Sequence, residues 1–400
     1  MRERRVGIIM NGVTGRMGLN QHLVRSILAI RAQGGVKLND GSAMVPDPIL
    51  VGRNETKLRS IAKEHGLTRW TTDLGRALDN RDDEIYFDSG ATGLRAQNVL
   101  QAMAAGKHVY CEKPLAANLE SALLVARTAE KMGVKHGVVQ DKLFLPGIRK
   151  LQRLIEDGFF GRILSVRGDF GYWVFEGFDQ APQRPSWNYK KEEDGGIILD
   201  MFCHWRYVMD HTFGAVEAVM CTGASHIPER LDEAGERYYC TAEDAAYGMF
   251  ALEGEIFAQI NSSWTTRVYR DELLSLQVDG TDGSAVAGLR DCKVQDRAHT
   301  PRPVWNPDMP NPIEFRKLWT EAGAGEEFDN AFKVQWEMFL RHVAEDAPFP
   351  HDFLDGARGV QLAELAARSW QERRWVDVPE ISRSTAGIVA IAQDGERKTR

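Results

Sequence analysis

Nowhere is this 400-residue chain apolar for the roughly 20 consecutive residues that a bilayer span needs. It also lacks a CxxC pair. Its five cysteines, Cys111, Cys203, Cys221, Cys240 and Cys292, are odd in number and widely spread. That excludes a disulfide-stapled scaffold and suits reduced thiols in the cytoplasm. Basic residues are not in excess. The 50 Lys and Arg against 57 Asp and Glu leave a net charge of −7, so nothing electrostatic points to nucleic acid. Repetitive or strongly biased stretches are missing, which argues against long disorder. The paired Arg4 and Arg5 precede an apolar stretch of only about five residues that runs straight into glycines, so this stretch is read as the first strand of the fold instead of an export signal, and a place inside the cell is expected.

What is present reads as two domains, because 400 residues exceed one ordinary core and a hydrophobic content of 43% can fill two. The stretch VGIIMNGVTGRMGLNQHLVRSILAIRA is an apolar strand, a glycine turn and an amphipathic helix, with a second strand at DPILVGRN. Gly12, Gly15 and Gly18, with Thr14, Arg16 and Met17 between them, place backbone N–H groups and a helix N-terminus where a pyrophosphate binds. An ordinary strand-to-helix turn is the plain alternative, and position at the first strand favours the nucleotide. Where an acid commonly holds the ribose 2′-OH of NAD stand Gly52, Arg53 and Asn54. NAD(H) and NADP(H) both stay open, and the missing acid leans toward NADP(H). Strand–helix alternation continues through EIYFDSGATGLRAQNVL, with Ala91 at a strand-to-helix turn, and on through KHVYCEKPLA and VKHGVVQDKLF. It predicts a doubly wound parallel sheet over 1–142. The segment GGVKLNDGSAMVPD leaves two readings, a surface loop or a contact with the adenosine end of the cofactor.

Over 143–380 the pattern becomes β-rich runs joined by turns, which predicts an α/β domain with an open, mostly antiparallel sheet. One uncovered face of such a sheet suits a homodimer or homotetramer. Helical periodicity returns over 329–372, where helices are expected to pack back on the first domain, and 381–400 reads as a tail.

Two places carry chemistry. In KHVYCEKPLAANLE the proline denies Lys113 a helical backbone and leaves Glu112 and Lys113 fixed at a strand end, where ligands of such sheets bind. In EEDGGIILDMFCHWRYVMDHTFG, Asp200 and His204 lie four apart and share a helix face. A metal held by Asp200, Cys203, His204 and His211 is set aside because these residues do not share one face. The plain alternatives are a surface lysine and a core histidine.

In combination, AGKHVYCEKPLA, DGGIILDMFCHW and DGARGVQLAELAARSWQERRWVDV resemble the Gfo/Idh/MocA family of NAD(P)-dependent oxidoreductases over nearly the whole chain. The resemblance implies a Rossmann domain followed by an open-sheet domain, acting on sugars or polyols. It implies catalytic roles for Lys113, Asp200 and His204, with Lys113 on the reacting oxygen and His204 exchanging the proton. Cofactor contacts would come from the glycine loop, Arg53, Asn54, Ala91, Glu112 and Lys113. The departures are Tyr207, where the family usually has an aspartate three residues after the histidine, a GxxGxxG loop, and Asp141–Lys142 after a later strand. Substrate walls are expected from Lys142, Trp187, Asp200, His204, Arg206 and Arg267, whose cations would suit an anionic sugar. Two other activities use the same residues. One is an NAD-dependent glycosidase working by transient oxidation, with Tyr189, Tyr207 or Asp141 as extra base. The other is a non-catalytic dinucleotide sensor.

Overall fold

The computed structural model describes residues 2–323 and 330–382, so residue 329 and the tail from 383 onward lie outside the described residues. Six parallel strands form the first sheet: β1 (Glu3–Asn11), β2 (Ala43–Val51), β3 (Trp70–Thr71), β4 (Asp83–Asp88), β5 (His108–Cys111) and β6 (His136–Val138), in the order β3-β2-β1-β4-β5-β6. Both faces are covered, so strands such as β1 carry a near-continuous apolar run instead of an alternation. Helices α1 (Met17–Leu28), α2 (Glu55–Glu64), α3 (Thr92–Ala104) and α4 (Leu119–Met132) make the crossovers. The first is wound with π-type turns before continuing as an α-helix over Ala29–Ala32. Asn54 and Asn118 cap α2 and α4 by accepting from the backbone N–H of Lys57 and Ser121.

After α5 (Pro146–Glu156) comes a nine-stranded sheet. Its central strands are β7 (Ile163–Gly171), β8 (Val216–Ala224), β9 (Ala245–Leu252), β10 (Ile256–Ser263) and β11 (Leu274–Gly280), extended by β12 (Gly283–Ala287) and β13 (Cys292–Asp296). Only the β10–β7 pair among these is parallel. Helix α6 (Ile197–Thr212) lies on its inner face, where Trp205 donates to Ser262 Oγ at 2.9 Å and meets Phe170 edge-on. Helix α7 (Ala331–Glu345) packs on α1 and α8 (Phe353–Glu372) on α6 and α4. With the sheet on one side and α8 on the other, every residue of α6 from Met201 to Met209 is buried.

The first domain's core is completed from far along the chain. Trp336, Phe339 and Leu340 of α7 share one cluster with Val6, Ile8 and Met10 of β1. The segment left open between loop and adenosine contact is a hairpin at the sheet edge. Val36–Lys37 pairs antiparallel with β2, and the turn meets α7 through Asn39 N–H to Glu345 and Arg341 to the Lys37 carbonyl. No helix among the described residues is long and apolar enough to cross a membrane.

Candidate active site

Strand ends, a glycine turn and one buried helix meet around Lys113. At the β1–α1 turn Gly12 has φ +83°, and a Cβ there would lie 2.6 Å from Gly90 N and from the Ser89 carbonyl carbon. A Cβ on Gly18 would meet Ser89 Oγ at 2.5 Å and Gly12 O at 2.6 Å. The two turns therefore close on each other only as glycines. No side chain caps α1, no acid stands in its first turn, and the adjoining Gly15–Arg16 turn is exposed, which leaves this helix N-terminus open to an anion. These features fit a dinucleotide pyrophosphate.

Buried Arg95 braces the floor. It donates to Asp88 Oδ1 at 3.3 Å, to the Gly90 carbonyl at 2.9 Å, and to the carbonyl of Pro114 directly after Lys113. Beside it Glu112 accepts from His22 Nε2 at 2.7 Å and from Lys113 N–H at 3.1 Å. The Trp336 indole donates to His22 Nδ1 at 3.0 Å, and an indole N–H can only donate, so the His22 hydrogen is assigned to Nε2 and points at Glu112. Burial pushes the Glu112 carboxyl up, yet His22, Lys113 and Arg95 together outweigh it and leave Glu112 below its ordinary range.

Lys113 Nζ donates to Asp200 Oδ1 at 2.5 Å and to the Asp200 carbonyl at 3.1 Å. On the other carboxylate oxygen sits Arg184 at 3.4 Å, its guanidinium stacked 4.1 Å over the Trp264 ring. Burial acts to raise the Asp200 carboxyl, but Lys113 and Arg184 overcome it and hold the group well below the carboxylate range. Burial and then the charges of Lys113, Lys142 and Arg184 push His204 well below the ordinary histidine value, so its resting form is neutral. Its Nδ1 lies 2.6 Å from Tyr207 Oη and 3.6 Å from Asp141 Oδ1. The Asp141 contact is therefore no ion pair at rest. The arrangement is an ammonium beside a neutral buried imidazole, the pairing that carbinol oxidation needs.

Residues 49–140 match the description "Oxidoreductase family, NAD-binding Rossmann fold", and 148–286 match "GFO/IDH/MocA C-terminal domain". The chain is 55% identical over 381 residues to a D-xylose dehydrogenase of Paenarthrobacter nicotinovorans, covering 94% of this chain and 98% of that one. The chain belongs to the Gfo/Idh/MocA family. A levoglucosan dehydrogenase of Pseudarthrobacter phenanthrenivorans is 25% identical over 84% of this chain and 90% of its own. A solved levoglucosan dehydrogenase, in complex with NADH and levoglucosan, superposes with a TM-score of 0.77 at 21% identity. It covers 94% of this chain and 100% of that one and shows the shared fold. As a family member the chain is an NAD(P)-dependent sugar oxidoreductase that uses a nicotinamide cofactor.

Within this Gfo/Idh/MocA site, Lys113, Asp200, His204 and Lys142 come together, Lys142 lying 3.9 Å from Asp141 Oδ2 with burial pulling its ammonium down. Arg206 does not join them. It faces the opposite way, held by Asp210 at 2.5 Å and Gln361 at 3.2 Å between α6 and α8, which corrects the expectation of a substrate contact. Helical spacing carried the signal, since positions 200, 204, 207 and 211 share a face that 206 leaves. Arg267 is exposed and stacks 4.0 Å over Trp173, and Trp187 is exposed on the rim. Asn54 spends its side chain on capping α2, while Arg53 is exposed at the end of β2 and Ala91 at the start of α3. Arg184 was missed, in an irregular loop with no periodicity to reveal its direction. The conceivable metal set disperses, because Cys203 backs onto Gly359 of α8 and His211 bonds Asp355 at 2.7 Å. His211, His351 and Asp355 do place ligand atoms within 4.8 Å of one another, but they are already joined through Gln140, whose Nε2 donates to Asp355 Oδ2 at 2.6 Å and whose Oε1 accepts from His351 Nδ1 at 2.6 Å.

Proposed function

We propose that the chain is an aldose dehydrogenase acting on a neutral pentose of the D-xylose type, with Lys113, Asp200 and His204 as its catalytic set. The observation that carries the reaction is the Lys113–Asp200 pair, 2.5 Å long, beside a neutral His204 whose Nε2 has no partner among the described residues. His204 takes the hydroxyl proton at Nε2 as the carbinol is oxidised. Lys113 donates to the reacting oxygen and stabilises its developing negative charge. Asp200 orients the ammonium and hydrogen-bonds a neighbouring hydroxyl. The nicotinamide, when bound, supplies the hydride acceptor. The pentose is supported by the 55% identity to a D-xylose dehydrogenase. A neutral sugar is favoured over an anionic one because Arg206 and Arg267 are engaged elsewhere and Asp200 and Asp141 offset the remaining cations.

NADP(H) is the proposed preference, because Arg53 stands exposed at the end of β2 with no acid in Gly52–Asn54. A homo-oligomer is proposed through the outer face of the nine-stranded sheet, where Met220, Tyr247, Met249 and Phe257 are 39–56% exposed. Five reduced cysteines support a cytoplasmic setting. The deciding experiment follows absorbance at 340 nm with pentoses, hexoses, polyols and uronates, each with NAD and NADP. Turnover of D-xylose, lost in Lys113→Ala and His204→Ala, supports the reading. Cofactor-dependent release of nitrophenol from nitrophenyl glycosides without net absorbance gain at 340 nm turns it to the glycosidase. Dinucleotide binding with neither activity turns it to the sensor.

A further inference from the structure

We propose that Asp141 and Tyr207 are positioning residues that fix the tautomer of His204, with the tyrosine hydroxyl relaying the aspartate's charge to Nδ1 so that Nε2 is kept free of hydrogen. The proposal deepens the reading of His204 as proton acceptor and rests on it.

A tyrosine hydroxyl has one hydrogen to give and two lone pairs. Around Tyr207 Oη stand three protein partners: Lys142 N–H at 3.2 Å, His204 Nδ1 at 2.6 Å and Asp141 Oδ1 at 3.3 Å. These fill every position, and the side chain is 3% exposed, so no substrate atom can reach the oxygen. Tyr207 therefore acts through His204 and not on the sugar. The backbone N–H can only donate, which takes one lone pair. A carboxylate can only accept, which takes the hydrogen. What is left for His204 is the second lone pair, so Nδ1 must carry a hydrogen and donate it. The reverse arrangement would aim an Asp141 oxygen at a hydroxyl lone pair with no hydrogen between them.

The same chain serves the reaction. When Nε2 accepts the hydroxyl proton, the new positive charge appears among Lys113, Lys142 and Arg184, which all oppose it. Asp141, reached through the tyrosine, and Asp200, already claimed by Lys113 and Arg184, are the negative groups facing this pocket, with Glu112 behind Lys113. Burial keeps the Tyr207 hydroxyl far above the ordinary tyrosine value, so it remains a donor throughout. In the reducing direction the steps reverse: imidazolium Nε2 gives its proton to the alkoxide while Nδ1–H stays on the tyrosine.

The test uses the full-length protein labelled with 15N-histidine, with the His204 signal identified by its loss in His204→Gln. Wild type is expected to show His204 as the Nδ1–H tautomer, and Asp141→Asn, whose amide can donate to the tyrosine oxygen, as Nε2–H. Steady-state kinetics with D-xylose should show kcat lower by about 100-fold in Asp141→Asn and Tyr207→Phe, with KM within about threefold of wild type. The acid limb of the kcat profile should move to lower pH in Asp141→Asn, because a charge that favours the imidazolium is gone. A structural defect alone would not move that limb. Wild-type His204 found as Nε2–H overturns the proposal, as does a change confined to KM. Should the wild type turn over no sugar, the functional reading falls, while the tautomer measurement still decides the relay. If Asp141→Asn does not fold, the wild-type tautomer and Tyr207→Phe decide it.

Discussion

Lys113 and Asp200 should behave as one unit. Their contact is 2.5 Å long with side chains only 17% and 27% exposed, so it falls in the class of charge-assisted hydrogen bonds shielded from much of the solvent. Such a bond contributes about 1.5–3 kcal/mol, and at about 1.4 kcal/mol per tenfold that equals roughly 10- to 150-fold in rate if the pair forms fully in the transition state. Asp200→Asn keeps the shape and removes the charge, whereas Lys113→Met keeps most of the length and removes the ammonium. Single-turnover hydride transfer at 340 nm, measured for both variants and the double variant, gives the coupling directly. The expected double variant is no worse than Lys113→Met alone, with a coupling of about 2 kcal/mol. Losses that simply multiply would refute the unit, and the lysine would then act without its aspartate. Arg184, on the second carboxylate oxygen, sets a floor: Asp200 stays ionised in Lys113→Met, so that variant should still fold.

Gly12→Ala puts a Cβ into the Ser89–Gly90 turn at a φ of +83°, a strain of about 1–2 kcal/mol before any clash, and should weaken dinucleotide binding at least about tenfold by isothermal titration. Trp336→Phe removes the donor to His22 Nδ1 inside a fully buried cluster and should lower stability by about 1–3 kcal/mol in urea titrations, with a smaller loss counting against the brace. Arg53→Ala should reduce the preference for NADP over NAD about tenfold or more in kcat/KM, and an unchanged ratio removes Arg53 from coenzyme choice. Burial and the neighbouring His211 push His351 down to about 4, so the unfolded chain binds its proton near 6.5 while the folded chain does not. Stability should therefore fall by up to about 3 kcal/mol between pH 6.5 and pH 4, and His351→Gln should flatten that slope.

The residues that need a special backbone or a fixed helical spacing were readable from the chain alone. Gly12 and Gly18 are required by a close approach that only glycine allows, Lys113 is fixed by its proline, and Asp200 and His204 follow from the pitch of a helix. Unreadable features depend on distant segments meeting. His22, Glu112 and Trp336 come from three elements, and no local pattern links them. Asp141 and Tyr207 stood out only as departures from the family pattern, because their meaning lies in a hydroxyl placed between two other groups. Arg206 shows the opposite failure: charge suggested a ligand contact where the helix pitch already pointed the side chain into α8.

The sharing of one core between β1 and α7 has a consequence for the order of events during synthesis. Val6, Ile8 and Met10 leave the ribosome more than three hundred residues before Trp336, Phe339 and Leu340, which cover them. The first half of the chain must therefore wait with an apolar face exposed, a state prone to aggregation or to capture by chaperones. A fragment cut at residue 142 would share that fate permanently. In this protein the beginning of the fold is finished by its end.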